Sequence, residues 1–215
     1  ILADEMKKGS LGLSTGLEYA EAYFSNFHEV VELAKVAAAS NGRYISHMRS
    51  EDITLDAAID ELLEIGSKAK IPVQISHLKI ALKDDWQTAG LLLAKLQKAR
   101  LAGIDVTADV YPYDFWSSTL KVLFPKTDYS NLASANYAVE HTFDPSASIL
   151  VTYAPVPEYA GKTISAIASL RKETPAQTLI WLIATADEFS KKNPGVDDVE
   201  TIMGKSMTDE DVASF

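Results

Sequence analysis

Apolar and polar positions along the chain fall into two alternating rhythms. Short runs at 11–17, 43–49, 73–79 and 104–110 have strand character, and each of the first three is followed by residues spaced for one face of a helix. Between the first two runs, Asn26-Phe27-His28-Glu29 caps a helix to about Ser40. Val30, Val31, Leu33, Ala34, Val36 and Ala37 form its apolar side, and Asn41-Gly42 ends it. Leu55, Ala58, Ile59, Leu62 and Leu63 predict a second helix from about Thr54. Trp86, Ala89, Leu92, Leu93, Leu96 and Ala99 predict a longer one from about Asp85 to Ala102, which Gly103 stops. Glycines at 9, 12 and 16 suit a buried first strand whose backbone passes close to other groups.

Strands that alternate with helices at a spacing of about thirty residues imply neighbouring parallel strands joined by crossovers, an α/β class. After Ser117-Ser118-Thr119 the rhythm breaks: residues 120–160 hold four of the eight prolines and one isolated strand candidate, Ile149 to Tyr153. Helical spacing resumes at Ile164 to Arg171 and Pro175 to Phe189. The expected organisation is βα units over 1–119, an irregular insertion or small subdomain over 120–160, and a mainly helical continuation over 161–215.

Two near-identical pentads stand out, Ile45-Ser46-His47-Met48-Arg49 and Ile75-Ser76-His77-Leu78-Lys79. Side chains alternate along a strand, so Arg43, Ile45, His47 and Arg49 are expected on one face, and Val73, Ile75, His77 and Lys79 on one face of the next strand. That places two imidazoles at the carboxyl end of a parallel sheet, where α/β folds bind ligands. One histidine alone suits a core role; two at one βα period suit a shared metal, and neutral imidazole suits zinc. A catalytic zinc takes about three protein ligands and an open position, so two histidines leave the site incomplete. Arg49 and Lys79, on the same parity, would meet a substrate carboxylate at the mouth. Asp109 reads equally as a structural strand carboxylate or a site residue, and Tyr111 and Tyr113 as core or rim aromatics. His28 and His141 read as surface residues. Gly161-Lys162-Thr163 is not a phosphate loop, because position 156 is valine, and no Gly-x-Ser-x-Gly elbow is present.

Composition narrows the class. The chain of 215 residues is 47% hydrophobic with a formal net charge of −10, and no apolar run reaches the roughly 18–20 residues of a membrane span. It is expected to be globular and to bind neither membrane nor nucleic acid, since phosphate backbones are held by Lys and Arg. The absence of cysteine removes disulfides and thiolate ligands. No signal-peptide layout opens the chain, which predicts a cytoplasmic protein, and both ends read as interrupted helices of something longer.

Four stretches carry a family resemblance: Gly-Leu-Ser-Thr-Gly-Leu-Glu-Tyr at 12–19, Tyr-Ile-Ser-His-Met-Arg-Ser-Glu at 44–51, Val-Gln-Ile-Ser-His-Leu-Lys at 73–79 and Asp-Val-Thr-Ala-Asp-Val-Tyr-Pro-Tyr at 105–113. In this order they resemble the D-aminoacylases, or N-acyl-D-amino-acid deacylases, of the amidohydrolase superfamily. The resemblance implies a partial (β/α)8 TIM-type barrel, with His47 and His77 as metal ligands on its fifth and sixth strands. It implies one or two zinc ions, and a small-molecule N-acyl amino acid whose carboxylate is held by Lys79, Tyr19 and either Arg49 or Tyr111. The family's first-strand His-x-His, its further metal ligand and its general-base aspartate are expected outside residues 1–215, so no catalytic residue is expected within the chain and the isolated piece is expected to be inactive. Another amidohydrolase, dihydroorotase-like or isoaspartyl-dipeptidase-like, is the alternative enzyme; a non-catalytic α/β binding or scaffold domain is the alternative from another class.

Overall fold

The computed structural model describes residues 1–19, 21–124 and 126–215. Among them the chain forms two compact units, one of residues 1–80, 87–112 and 213–215, the other of residues 81–86 and 113–212.

In the first unit, helix α1 (Leu2–Lys7) precedes strand β1 (Gly12–Gly16). Then follow α2 (Phe27–Ala38), β2 (Arg43–His47), α3 (Leu55–Ala69), β3 (Val73–Ile75), α4 (Ala89–Leu101) and β4 (Val106–Ala108). The four strands are parallel and lie in chain order, as the thirty-residue spacing predicts. Alternation sets the two faces of the sheet. Tyr44, Ser46, Val73, Ile75 and Val106 are buried, with Tyr44 and Ser46 beside Ala58, Leu62 and Ile65 of α3. On the opposite face Arg43 reaches Gln74 (3.4 Å) and Thr107 donates to Gln74 (3.5 Å). Asn26 caps α2 through the Glu29 amide at 3.0 Å. The expected helix from Asp85 starts late: a 3-10 turn at Lys83–Asp85 ends at Trp86, and Gln87 takes a left-handed φ of 70°. No helix is long and apolar enough to cross a membrane among the described residues.

The second unit departs from the expected irregular insertion and separate helical tail. Residues 120–160 join 161–212 in one antiparallel sheet, order β5-β8-β6-β7, from β5 (Phe115–Ser118), β6 (Ile149–Tyr153), β7 (Lys162–Thr163) and β8 (Glu200–Lys205). Its core joins Leu120, Leu123, Phe124, Leu150 and Ile202 to Leu179, Leu182 and Ile183 of a helix at Pro175–Lys192. Pro175 opens that helix behind a Thr174–Gln177 capping box. β6 is the strand candidate at Ile149 to Tyr153; β5, β7 and β8 escape sequence reading, being short or, in β8, carrying a glycine, Gly204, that Trp116 covers.

One carboxylate in this unit sets a pH dependence. Glu200 accepts from the Leu120 amide (2.9 Å), and burial pushes its carboxyl up to about 7, against the nearby Lys121 charge and with that of Asp187. A folded-state value above the ordinary one means that the native state favours the protonated form. Stability is therefore full below about pH 4.5 and declines as pH rises through about 7. Urea unfolding of Glu200→Gln should match wild type near pH 4.5 and exceed it by about 3 kcal/mol at pH 8; parallel pH curves for the two proteins contradict this.

Candidate metal centre

Parallel pairing brings the two histidines together, by a route different from strand alternation. Ile45 pairs with Gln74 and Ser46 with Ile75, so the pentads are offset by one residue. An offset of one exchanges the faces. Ile75 is buried on the helix side with Val73, and continued extended backbone would send His77 there as well. Instead β3 ends at Ile75, and His77 adopts a left-handed φ of 42°, rare for a residue with a Cβ. The expectation that Val73, Ile75, His77 and Lys79 share a face is thus corrected. The chain leaves the strand and turns the imidazole across to the His47 side.

Asp109 holds that turn. Its Oδ1 accepts the His77 amide (2.6 Å) and its Oδ2 accepts Gln74 Nε2 (2.8 Å), while the Leu78 amide donates to the Asp109 carbonyl (2.8 Å). Of the two readings of Asp109, the structure places it as the anchor of the His77 backbone. Strained backbone held by surrounding hydrogen bonds is a mark of functional sites.

His47 Nδ1 lies 3.0 Å from His77 Nε2, with ring centroids 4.8 Å apart. The outer nitrogens face carboxylates: His47 Nε2 is 2.7 Å from Glu18 Oε2, and His77 Nδ1 is 2.8 Å from Glu51 Oε1. Lys79, only 4% exposed, brings Nζ to 2.5 Å from Glu51 Oε2 and 2.8 Å from His77 Nδ1. Burial lowers the affinity of Lys79 for its proton, and the Glu51 charge opposes this. Burial alone would raise the Glu51 carboxyl; the adjoining His77 and the Lys79 charge outweigh it and hold the group at about 2. Burial keeps Glu18 above the ordinary carboxylate range, with His47 pulling the other way.

These side chains fit a cation. Two nitrogens on a tetrahedral zinc sit about 3.3 Å apart for bonds of about 2.0–2.1 Å, so the 3.0 Å gap between His47 Nδ1 and His77 Nε2 needs little widening. His47, His77 and Glu51 also offer ligand atoms within 4.8 Å of one another. Glu51 Oε1 is buried and, although close to His77, has no aligned hydrogen-bond partner among the described residues.

The other expected site residues divide. Tyr19 sits beside His47, its hydroxyl 3.4 Å from Nδ1 and the rings 4.5 Å apart. The Tyr111 ring lies under Lys79 Nζ at 5.8 Å. Arg49 turns elsewhere: Nε and Nη2 grip Glu61 of α3 at 2.8 and 2.9 Å, and its guanidinium also donates to the Tyr23 and Ser25 carbonyls. β2 ends at His47, so strand parity does not extend to position 49. His28 is exposed on α2, and His141 pairs with Asp84 at 2.7 Å. Sequence reading assigned no role to Glu18 and Glu51. The available signals were an acid four residues after His47 and another two residues past Gly16, which pairs with His47.

No protein-family model matches the chain. It is 31% identical over 170 residues to the N-acyl-D-glutamate deacylase of Alcaligenes xylosoxydans xylosoxydans, covering 79% of this chain and 31% of that protein. Its fold matches the crystal structure of a D-aminoacylase described as defining a novel subset of amidohydrolases, with TM-score 0.74 and 25% identity over 98% of this chain and 37% of that one. It matches equally the N-acyl-D-glutamate deacylase from Bordetella bronchiseptica, solved with zinc and a phosphonate mimic of the reaction's tetrahedral intermediate (TM-score 0.74, 25% identity, 98% and 38% covered). The chain thus spans about a third of the length of the relatives it matches. On these similarities, the chain belongs to the D-aminoacylase/N-acyl-D-amino-acid deacylase family of amidohydrolases.

Proposed function

We propose that this chain is part of a zinc-dependent amide hydrolase that removes the acyl group from N-acyl-D-amino acids, and that its parallel sheet is one portion of a (β/α)8 barrel with the metal at the carboxyl ends of the strands. The observation that carries the reading is the pair of facing nitrogens, His47 Nδ1 and His77 Nε2, at 3.0 Å, backed by buried carboxylates. His47 and His77 hold the metal. Bound there, zinc supplies Lewis acidity toward water and the amide carbonyl.

The chain's own groups bind and orient. Lys79, anchored by Glu51, keeps a positive charge beside the histidines, and with the hydroxyls of Tyr19 and Tyr111 it receives the substrate carboxylate. Arg49 is committed to Glu61 and has no part in this. The aspartate that takes a proton from water and passes it to the leaving amine is assigned to sequence outside residues 1–215.

The test is a substrate panel with the full-length gene product before and after chelation. N-acyl-D-glutamate, N-acyl-D-aspartate, neutral N-acyl-D-amino acids, their L forms, dihydroorotate and an isoaspartyl dipeptide are compared. Hydrolysis of the D forms alone, lost on chelation and regained with zinc, is expected. Turnover of dihydroorotate or the isoaspartyl dipeptide in preference, or chelator-resistant activity, overturns the assignment.

A further inference from the structure

We infer that Glu18 and Glu51 are positioning residues for the metal centre, each accepting the outer ring N–H of one histidine so that the inner nitrogen of that ring is unprotonated and aimed at the cation. The inference rests on the proposed metal site and assigns roles to residues outside the ligand pair.

The geometry is reciprocal. Neutral imidazole carries one proton, so the nitrogen that donates decides which nitrogen can ligate. With Glu18 Oε2 at 2.7 Å, the His47 proton belongs on Nε2 and Nδ1 keeps its lone pair, facing His77. Glu51 Oε1 stands 2.8 Å from His77 Nδ1, and a proton placed there for it leaves Nε2 with its lone pair facing His47. The two carboxylates therefore select opposite tautomers in the two rings, the only combination in which both facing nitrogens present lone pairs. Neither acid is a surface group turned inward by chance, since their side chains are 16% and 10% exposed.

Lys79 competes for the same nitrogen. Its ammonium lies 2.8 Å from His77 Nδ1, and two donors cannot share that contact. When Nδ1 carries the proton, Lys79 is left to Glu51 Oε2 and its remaining N–H groups can meet a substrate anion. Glu51 then serves both the metal ligand and the substrate-binding cation, whereas Glu18 serves His47 alone.

The experiment compares wild type, Glu18→Gln, Glu51→Gln, His47→Ala and His77→Ala. Zinc affinity is measured by chelator competition, the cobalt(II) visible spectrum reports the ligand field, and far-UV circular dichroism reports folding. The histidine variants should lose the high-affinity site. Each glutamine variant should bind zinc about 10–100-fold more weakly with an altered cobalt spectrum. Because Glu18→Gln leaves the Lys79–Glu51 pair intact, it keeps the test decisive if Glu51→Gln unfolds. Histidine-dependent binding that both glutamine variants retain at wild-type affinity and with the wild-type spectrum overturns the positioning role while leaving the metal site standing. Binding indifferent to both histidines overturns the metal site and the positioning role with it.

Discussion

Lys79→Met and Glu51→Gln should each lower the unfolding free energy by about 3–5 kcal/mol, while the double variant recovers much of the loss. The reason is desolvation. Lys79 is 4% exposed and the Glu51 side chain 10%, so each charge has given up most of its water and relies on the other at 2.5 Å. Removing one partner strands the survivor in a site that cannot hydrate it. Methionine fills the lysine's volume without a charge, leaving Glu51 facing two imidazoles. Glutamine keeps the shape of Glu51 and leaves an ammonium against His77 Nδ1. Removing both leaves no stranded charge, so the double variant should lose less than either single one and the double-mutant cycle should return a coupling above about 3 kcal/mol. Urea unfolding of the four proteins at neutral pH measures it. Additive effects below about 1 kcal/mol each would place the pair in solvent and contradict the burial.

The parallel sheet was readable because each signal is local or repeats at a fixed distance. Capping at Asn26, Gly103 (φ 89°) after α4 and the thirty-residue return of the pentads each depend on few neighbours. What resisted reading depends on contacts remote in sequence. The one-residue offset between β2 and β3 exchanges the faces of the two strands, so strand parity alone does not bring His77 to the His47 side. The left-handed His77 backbone is enforced by Asp109, thirty-two residues away, which no window around the pentad contains. Arg49 lies beyond the end of β2, where strand parity no longer holds, and pairs with Glu61. Glu18 and Glu51 lie within quoted motifs, yet Glu18 meets His47 only once β1 and β2 are in register.

That register makes the second large effect predictable. Gly12→Ala should cost about 3 kcal/mol and separate β1 from β2, because a Cβ at Gly12 would intrude on the Arg43 carbonyl oxygen and come within 2.8 Å of the Arg43 nitrogen. Those atoms are backbone of the paired strand and cannot swing aside as a flexible side chain would. A matched control is Gly90→Ala, where a Cβ meets nothing within 4 Å and the residue sits in α4. There alanine should raise stability by up to about 1 kcal/mol, through lower backbone entropy in the unfolded chain. The same methyl group thus gives opposite signs, decided by what stands across from it. Thermal and urea unfolding measure the pair, and zinc affinity gives a third readout. β1 ends at Gly16, opposite His47, and Glu18 follows two residues later, so parting the strands draws Glu18 away from the His47 ring. Gly12→Ala should therefore weaken zinc binding along with stability, whereas Gly90→Ala leaves it unchanged; equal effects of the two substitutions would mean that Gly12 does not lie against β2.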